Sequence, residues 1–290
     1  MPGRSLLPFL LLAGAGCLPA PARGVAASLA SADRALHRGR AEEAERALAD
    51  LSAAPRVSAA QRAEAGRLEG ELRLQQGRPQ EAAASFERAR DAAEKAYGPA
   101  SPEARAARLD VADAKAAAGE TREAERLYRA WADGRGGELA ERLSELALGS
   151  QSRGRAAEAE RLYRAAVEET ESALGKGDPL TAARLSDWGL QLQRMERFAD
   201  AEAAYRRALA IVEKASPPGH PRRDAALNAW GLFLEGRGRN AEAEEVYRRA
   251  LKEAGPRRSE AGRSYGSLLR RLGREAEAAA AEAKAPAGPR

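Results

Sequence analysis

Along most of the chain, small apolar residues recur at helical spacing with Arg and Glu between them, and glycines interrupt the pattern at regular intervals. One phrase returns three times: AEAERLYRAA at 157–166, ADAEAAYRRA at 199–208 and AEAEEVYRRA at 241–250. The first alanine of each core is Ala159, Ala201 or Ala243, two intervals of 42 residues. A fixed period of this size predicts an array of helical repeats, in which each unit buries its apolar face only by stacking on its neighbours.

Seven units fall on one frame, each predicted to be a helix A and a helix B joined by a tight turn. The turn glycines are Gly39, Gly77, Gly119, Gly154, Gly238 and Gly273, and Glu196 takes that place in the fifth unit. Five residues later stands an alanine: Ala44, Ala82, Ala124, Ala159, Ala201, Ala243 and Ala278. Twelve residues before that alanine is another small residue: Ala32, Gly70, Ala112, Ala147, Gly189, Gly231 and Gly266. Small residues at both places let two helices approach where a larger side chain would overpack by about 1–3 kcal/mol. Four residues after the frame alanine comes a ring in five units: Phe86, Tyr128, Tyr163, Tyr205 and Tyr247. An i, i+4 pair shares one helical face, so ring and alanine are expected in the core together. Leu48 and Glu282 replace the ring in the first and last units, as suits the ends of an array.

These residues resemble the tetratricopeptide repeat family. Its W-x₂-L-G-x₂-Y and A-x₃-F pattern is echoed by Leu185, Trp188, Gly189 and Leu192 with Ala201 and Tyr205. Leu227, Trp230, Gly231 and Leu234 with Ala243 and Tyr247 repeat it. The resemblance spans residues 25–284 and implies an all-α fold, an α-α superhelix or solenoid of about seven helix pairs. Several units exceed the usual repeat of about 34 residues. They end in Gly/Pro connectors at 97–102, 174–179 and 217–221. There Gly stops one helix and Pro opens the next. Elongated units of this kind look like kinesin light chain repeats. The segment Asp133-Gly134-Arg135-Gly136-Gly137 is expected to be the most flexible linker, marking either a bend or a short third helix B.

Composition changes this picture little. Hydrophobic residues are 44% of the 290 and aromatics 4%, which suits alanine-packed helices better than strands. Residues 1–22 stand apart. Arg4 precedes an apolar run from Leu6 to Leu18, and Ala20-Pro21-Ala22 offers a small-x-small cleavage site, so this segment reads as a secretory signal. A buried first helix is the alternative, against which Pro8, Gly14, Gly16 and Pro19 argue. The single cysteine, Cys17, follows Gly14-Ala15-Gly16, which resembles the lipid-attachment motif of bacterial lipoproteins. Residues 285–290 contain Pro and Gly with nothing to bury and are expected to be a disordered tail.

A net charge of +5 invites a nucleic-acid reading. However, the pairs Arg206-Arg207 and Arg248-Arg249 share their helices with Glu202, Glu242, Glu244 and Glu245, and no aromatic residues interleave a basic stripe. No nucleic-acid partner is expected. His37 and His220 are isolated, so neither a metal set nor a base–nucleophile pair is expected, and no cofactor.

What remains is the surface lined by the A helices, expected on the inner side of the superhelix. Counting back from the frame alanine gives Ser144, Leu148 and Gln151, then Ser186, Leu190 and Gln193, then Asn228, Leu232 and Glu235. Each trio has spacing four then three and shares a face. Leucines 42 residues apart, flanked by amides and hydroxyls, suit an extended peptide, although core packing explains a leucine there equally well. The expectation is a non-catalytic, periplasmic or secreted scaffold binding a protein or peptide in this groove. A lipid-anchored outer-membrane assembly factor, reaching the membrane only through Cys17, and a cytoplasmic adaptor are the alternatives.

Overall fold

The computed structural model describes residues 20–52, 54, 56–254 and 259–283. Residues 1–19 and 284–290 lie outside these, and with them Cys17, the expected tail and all but the last three residues of the expected leader. Fourteen α-helices and no strand occur among the described residues. Contacts divide the chain into two units, residues 1–131 and 132–290. In the first, α1 (Ala20–His37), α3 (Ala59–Gln75) and α5 (Pro102–Ala117) are A helices, and α2 (Ala41–Ser52), α4 (Pro79–Tyr97) and α6 (Thr121–Ala132) are B helices. In the second, α7 (Gly136–Ser152), α9 (Pro179–Arg194), α11 (Pro221–Gly236) and α13 (Glu260–Arg271) are A helices. Their partners are α8 (Ala156–Leu174), α10 (Phe198–Ala215), α12 (Asn240–Ala254) and α14 (Glu275–Glu282). Seven antiparallel pairs result, as the frame requires.

The seven A-to-B turns are stereochemically alike. Gly39, Gly77, Gly119, Gly154, Gly238 and Gly273 all have φ between 67° and 79°, and Glu196 adopts 60° in the same place. At each, two hydrogen bonds close the helix. Gly154 N–H donates to Gln151 O and Arg155 N–H to Ser150 O, and Glu196 N–H and Arg197 N–H do the same to Gln193 O and Leu192 O. This is the left-handed ending that glycine adopts without steric cost.

All seven frame alanines are fully buried, and the five rings are 0–6% exposed. The small residue on helix A sits directly beneath the ring. A Cβ on Gly231 would lie 2.4 Å from Tyr247 Cε1, one on Gly70 would lie 2.5 Å from Phe86 Cε1, and one on Gly189 would lie 3.1 Å from Tyr205 Cζ. Rings then link successive pairs: Tyr205 tilts on Phe233 at 5.3 Å, Trp230 stacks on Phe233 at 5.4 Å, and Tyr247 tilts on Tyr265 at 5.9 Å. In the last pair Gly266 lies under the Glu282 stem instead, and Arg270 grips that carboxylate with both nitrogens.

The connectors behave as expected. Gly98 (φ 89°) and Gly175 (φ 93°) end α4 and α8, and Pro102, Pro179 and Pro221 open α5, α9 and α11. His220 is a helix cap: its Nδ1 accepts from Arg222 N–H at 3.2 Å. The segment 133–137 differs from expectation. Only Asp133, Gly134 and Arg135 lie between helices, and Gly136 and Gly137 already belong to α7. Gly136 is required there by close approach, because a Cβ would stand 2.9 Å from Ala173 Cβ of α8. Helix α6 is short at 12 residues, against 19 for α4 and α8.

Candidate functional site

The nine residues of the expected groove all lie on α7, α9 and α11, within the second unit. Leu148, Leu190 and Leu232 are 58%, 43% and 45% exposed, so they are not core leucines. The leucines five residues before them on the same helices, Leu143, Leu185 and Leu227, are fully buried and carry the packing.

The polar flanks are less free. Ser144 and Ser186 spend their hydroxyl protons on the carbonyls one turn back, Ala140 O at 3.0 Å and Ala182 O at 3.1 Å. Gln151 Oε1 accepts from the Tyr163 hydroxyl at 3.5 Å. Glu235 accepts from the Tyr247 hydroxyl at 3.2 Å and is held by Arg271 of α13, which makes it a tie between pairs. Burial pushes the Tyr205 and Tyr247 phenols well above their ordinary range, so both keep their proton, and Tyr247 donates it to Glu235. Gln193 lies half-buried against Gly236 of the next A helix. Asn228 differs from the rest, since its Oδ1 is buried and has no hydrogen-bond partner. An exposed row of three leucines beside one unsatisfied amide oxygen has no catalytic chemistry. It can cover an apolar segment.

The arginine pairs that suggested nucleic acid are tied into ion pairs. Arg207 reaches Glu171 and Arg249 reaches Glu213, both from one B helix to the preceding one, and Arg206 and Arg248 pair with Glu202 and Glu244. The turn arginines repeat a second tie, Arg197 to Glu160, Arg239 to Glu202 and Arg274 to Glu244. Among the described residues, no group of three His, Cys, Asp or Glu is placed to hold a metal, and no helix is long and apolar enough to cross a membrane.

Extending the leucine position through the frame shows what the sequence reading passed over. The same place, eleven residues before the frame alanine, is Asp33, Glu71 and Asp113 in the first three pairs. The row is carboxylate in the three pairs of the first unit, leucine in the first three pairs of the second and Ser267 in the last, a change visible once all seven pairs are aligned.

Models of the tetratricopeptide repeat match residues 62–130, 138–214, 184–252 and 228–290. No curated protein matches. Among solved structures, the apo form of RapI aligns with a TM-score of 0.59 at 11% identity, covering 88% of this chain and 73% of that one. BtubC (BKLC) from P. vanneervenii aligns at 18% identity with a TM-score of 0.46, covering 83% of this chain and 97% of that one. The nearly identical TPR-like repeats of a Podosopora anserina chain described as kinesin light chain align at 22% identity with a TM-score of 0.47. Those repeats cover 66% of this chain and 94% of theirs. The matched models, the seven-fold frame and the all-α fold agree: this chain belongs to the tetratricopeptide repeat family.

Proposed function

We propose that this protein is a non-catalytic scaffold that holds an extended, apolar segment of a protein partner along α7, α9 and α11. The observation that carries this reading is the row Leu148, Leu190 and Leu232, each left about half in water at the same place on successive A helices. Covering apolar surface is worth about 25 cal/mol per Å², so each leucine that a partner covers fully contributes up to ~1.5–3 kcal/mol. The scaffold is exported to the periplasm or beyond, a reading that rests on residues 1–22. Retention at the outer membrane through lipidated Cys17 is the variant favoured by Gly14-Ala15-Gly16-Cys17.

The test is the triple variant Leu148→Ser, Leu190→Ser, Leu232→Ser, compared with wild type for melting temperature and for partners retained from envelope extract. The fold should survive, since none of the three is buried, and the retained partner should be lost. Unfolding would place the leucines in the core, and a folded variant that keeps its partner would place binding elsewhere. The mass of the mature N-terminus separates cleavage after Ala22, lipidation at Cys17 and an uncleaved chain.

A further inference from the structure

In four pairs the ring on helix B is a tyrosine, and three of these hydroxyls are spent within the fold. Tyr128 donates to Asp113 at 2.7 Å, Tyr163 to Gln151 at 3.5 Å and Tyr247 to Glu235 at 3.2 Å. The acceptors lie on one face of their A helices. Asp113 holds the leucine position itself, and Gln151 and Glu235 come three residues after Leu148 and Leu232. The phenol ends of these rings therefore surface beside the row.

Tyr205 is the fourth. Its ring is 4% exposed, and its Cζ, Cε1 and Cε2 lie 3.1–3.2 Å from where a Cβ on Gly189 would stand. The hydroxyl end thus rests on the residue just before Leu190. The acceptor at the matching place is Gln193, but its Nε2 lies 3.2 Å from where a Cβ on Gly236 of α11 would be. The Asp187 carboxylate, three residues before Leu190, stands 3.8 Å from Arg184 instead. Among the described residues the Tyr205 hydroxyl makes no hydrogen bond, and its oxygen is not sealed from solvent.

We propose, resting on the groove reading above, that the Tyr205 hydroxyl donates to a main-chain carbonyl of the extended segment lying over Leu190. A segment that covers Leu190 takes water away from the hydroxyl beside it, and a covered hydroxyl left unpaired opposes binding. An extended chain carries a carbonyl at every residue, whereas its side chains face the leucines only at alternate ones. One fixed donor at the middle rung sets which residue of the segment sits there. Burial, with Asp187 adding to it and Arg194 opposing, holds the phenol well above its ordinary range, so the proton stays available to donate. The fold does not need this hydroxyl, since Phe86 fills the same place over Gly70 without one.

The probe is a mixture of synthetic octapeptides with Leu, Ile or Val at alternate positions and Ser or Asn between them. It is added to the full chain carrying carbon-13 at every tyrosine Cζ. The Tyr205 Cζ resonance should move downfield on binding, while those of Tyr163 and Tyr247, which already donate, should stay. Tyr205→Phe should keep the wild-type melting temperature and bind the peptides about three- to tenfold more weakly. Tyr247→Phe, which breaks the bond to Glu235, should melt lower and bind as wild type. A Tyr205 resonance that stays or moves upfield, or a Tyr205→Phe variant that melts lower, overturns the proposal. The triple leucine-to-serine variant separates the two readings. If it loses the peptides while Tyr205→Phe binds them as wild type does, the groove stands and Tyr205 is not its donor. If the triple variant keeps them, or wild type binds none, groove and donor fall together.

Discussion

Three helix-interior glycines of equal helix propensity should respond to alanine with opposite signs. Ala in place of Gly favours a helix by about 1 kcal/mol, less near an end. At Gly149 of α7 an added Cβ meets only the far end of Arg153, Nη1 at 3.3 Å, and a flexible side chain moves aside. Gly149→Ala should therefore stabilise by about 0.5 kcal/mol. At Gly231 of α11 the Cβ would stand 2.4, 2.7 and 2.9 Å from three atoms of the Tyr247 ring. That ring has no room to retreat: it is 0% exposed, bonded through its hydroxyl to Glu235 and backed by Tyr265. Overpacking of a rigid core costs about 1–3 kcal/mol, here at the upper end. With the helix gain subtracted, Gly231→Ala should lose about 2 kcal/mol. Gly189→Ala, whose closest ring atom is 3.1 Å away, should fall between the two. Urea unfolding followed by circular dichroism at 222 nm, with the three variants measured side by side, gives the order. If Gly231→Ala proves as stable as Gly149→Ala, the close fit of glycine beneath ring is not what holds these pairs together.

Glu196 supplies the converse case. It holds φ 60° in the one turn of the seven that lacks glycine, and it is exposed, so Glu196→Gly should stabilise by about 1 kcal/mol in the same urea assay. A loss of stability there would mean that the Glu196 side chain outweighs the strain. Tyr205→Ala removes a ring that fills the space over Gly189 and touches Phe233, and should cost about 3–5 kcal/mol. Because neighbouring repeats share stability, its hydrogen-exchange losses should centre on α9, α10 and α11, and evenly spread losses would contradict that.

The frame was legible in the sequence because two small residues recur at fixed offsets seven times, joined by a ring in five of the units. Periodicity also exposed the three leucines, since a position left out of the core is free to repeat without packing partners. What stayed hidden involves partners set by folding. Glu235 looked like the third member of a groove trio, but Arg271 and Tyr247 claim it, and the frame assigns no role to an arginine 36 residues away. Residues 133–137 read as a loose linker because glycine usually marks one, whereas Gly136 is demanded by Ala173, on the next helix. His220 was read as an isolated histidine in a connector, and its role as a cap depends on a backbone geometry that composition does not reveal. The nine candidate residues were found together on consecutive A helices, yet Ser144, Ser186, Gln151 and Glu235 are bonded within the fold, which leaves the leucines as the exposed apolar row.

The pairing of Tyr205 with Gly189 and of Tyr247 with Gly231, each within its own helix pair, has a consequence for how such a chain can change length. Because the main wedge of these pairs is internal to each, and the ties between them repeat at one register, such a pair is exchangeable. Ala159, Ala201 and Ala243 are spaced identically, so removing or copying one 42-residue stretch between equivalent points joins surfaces that already match. The array can then grow or shorten by one leucine rung at a time, with no new turn or contact to invent, and the reach of the row becomes a matter of copy number.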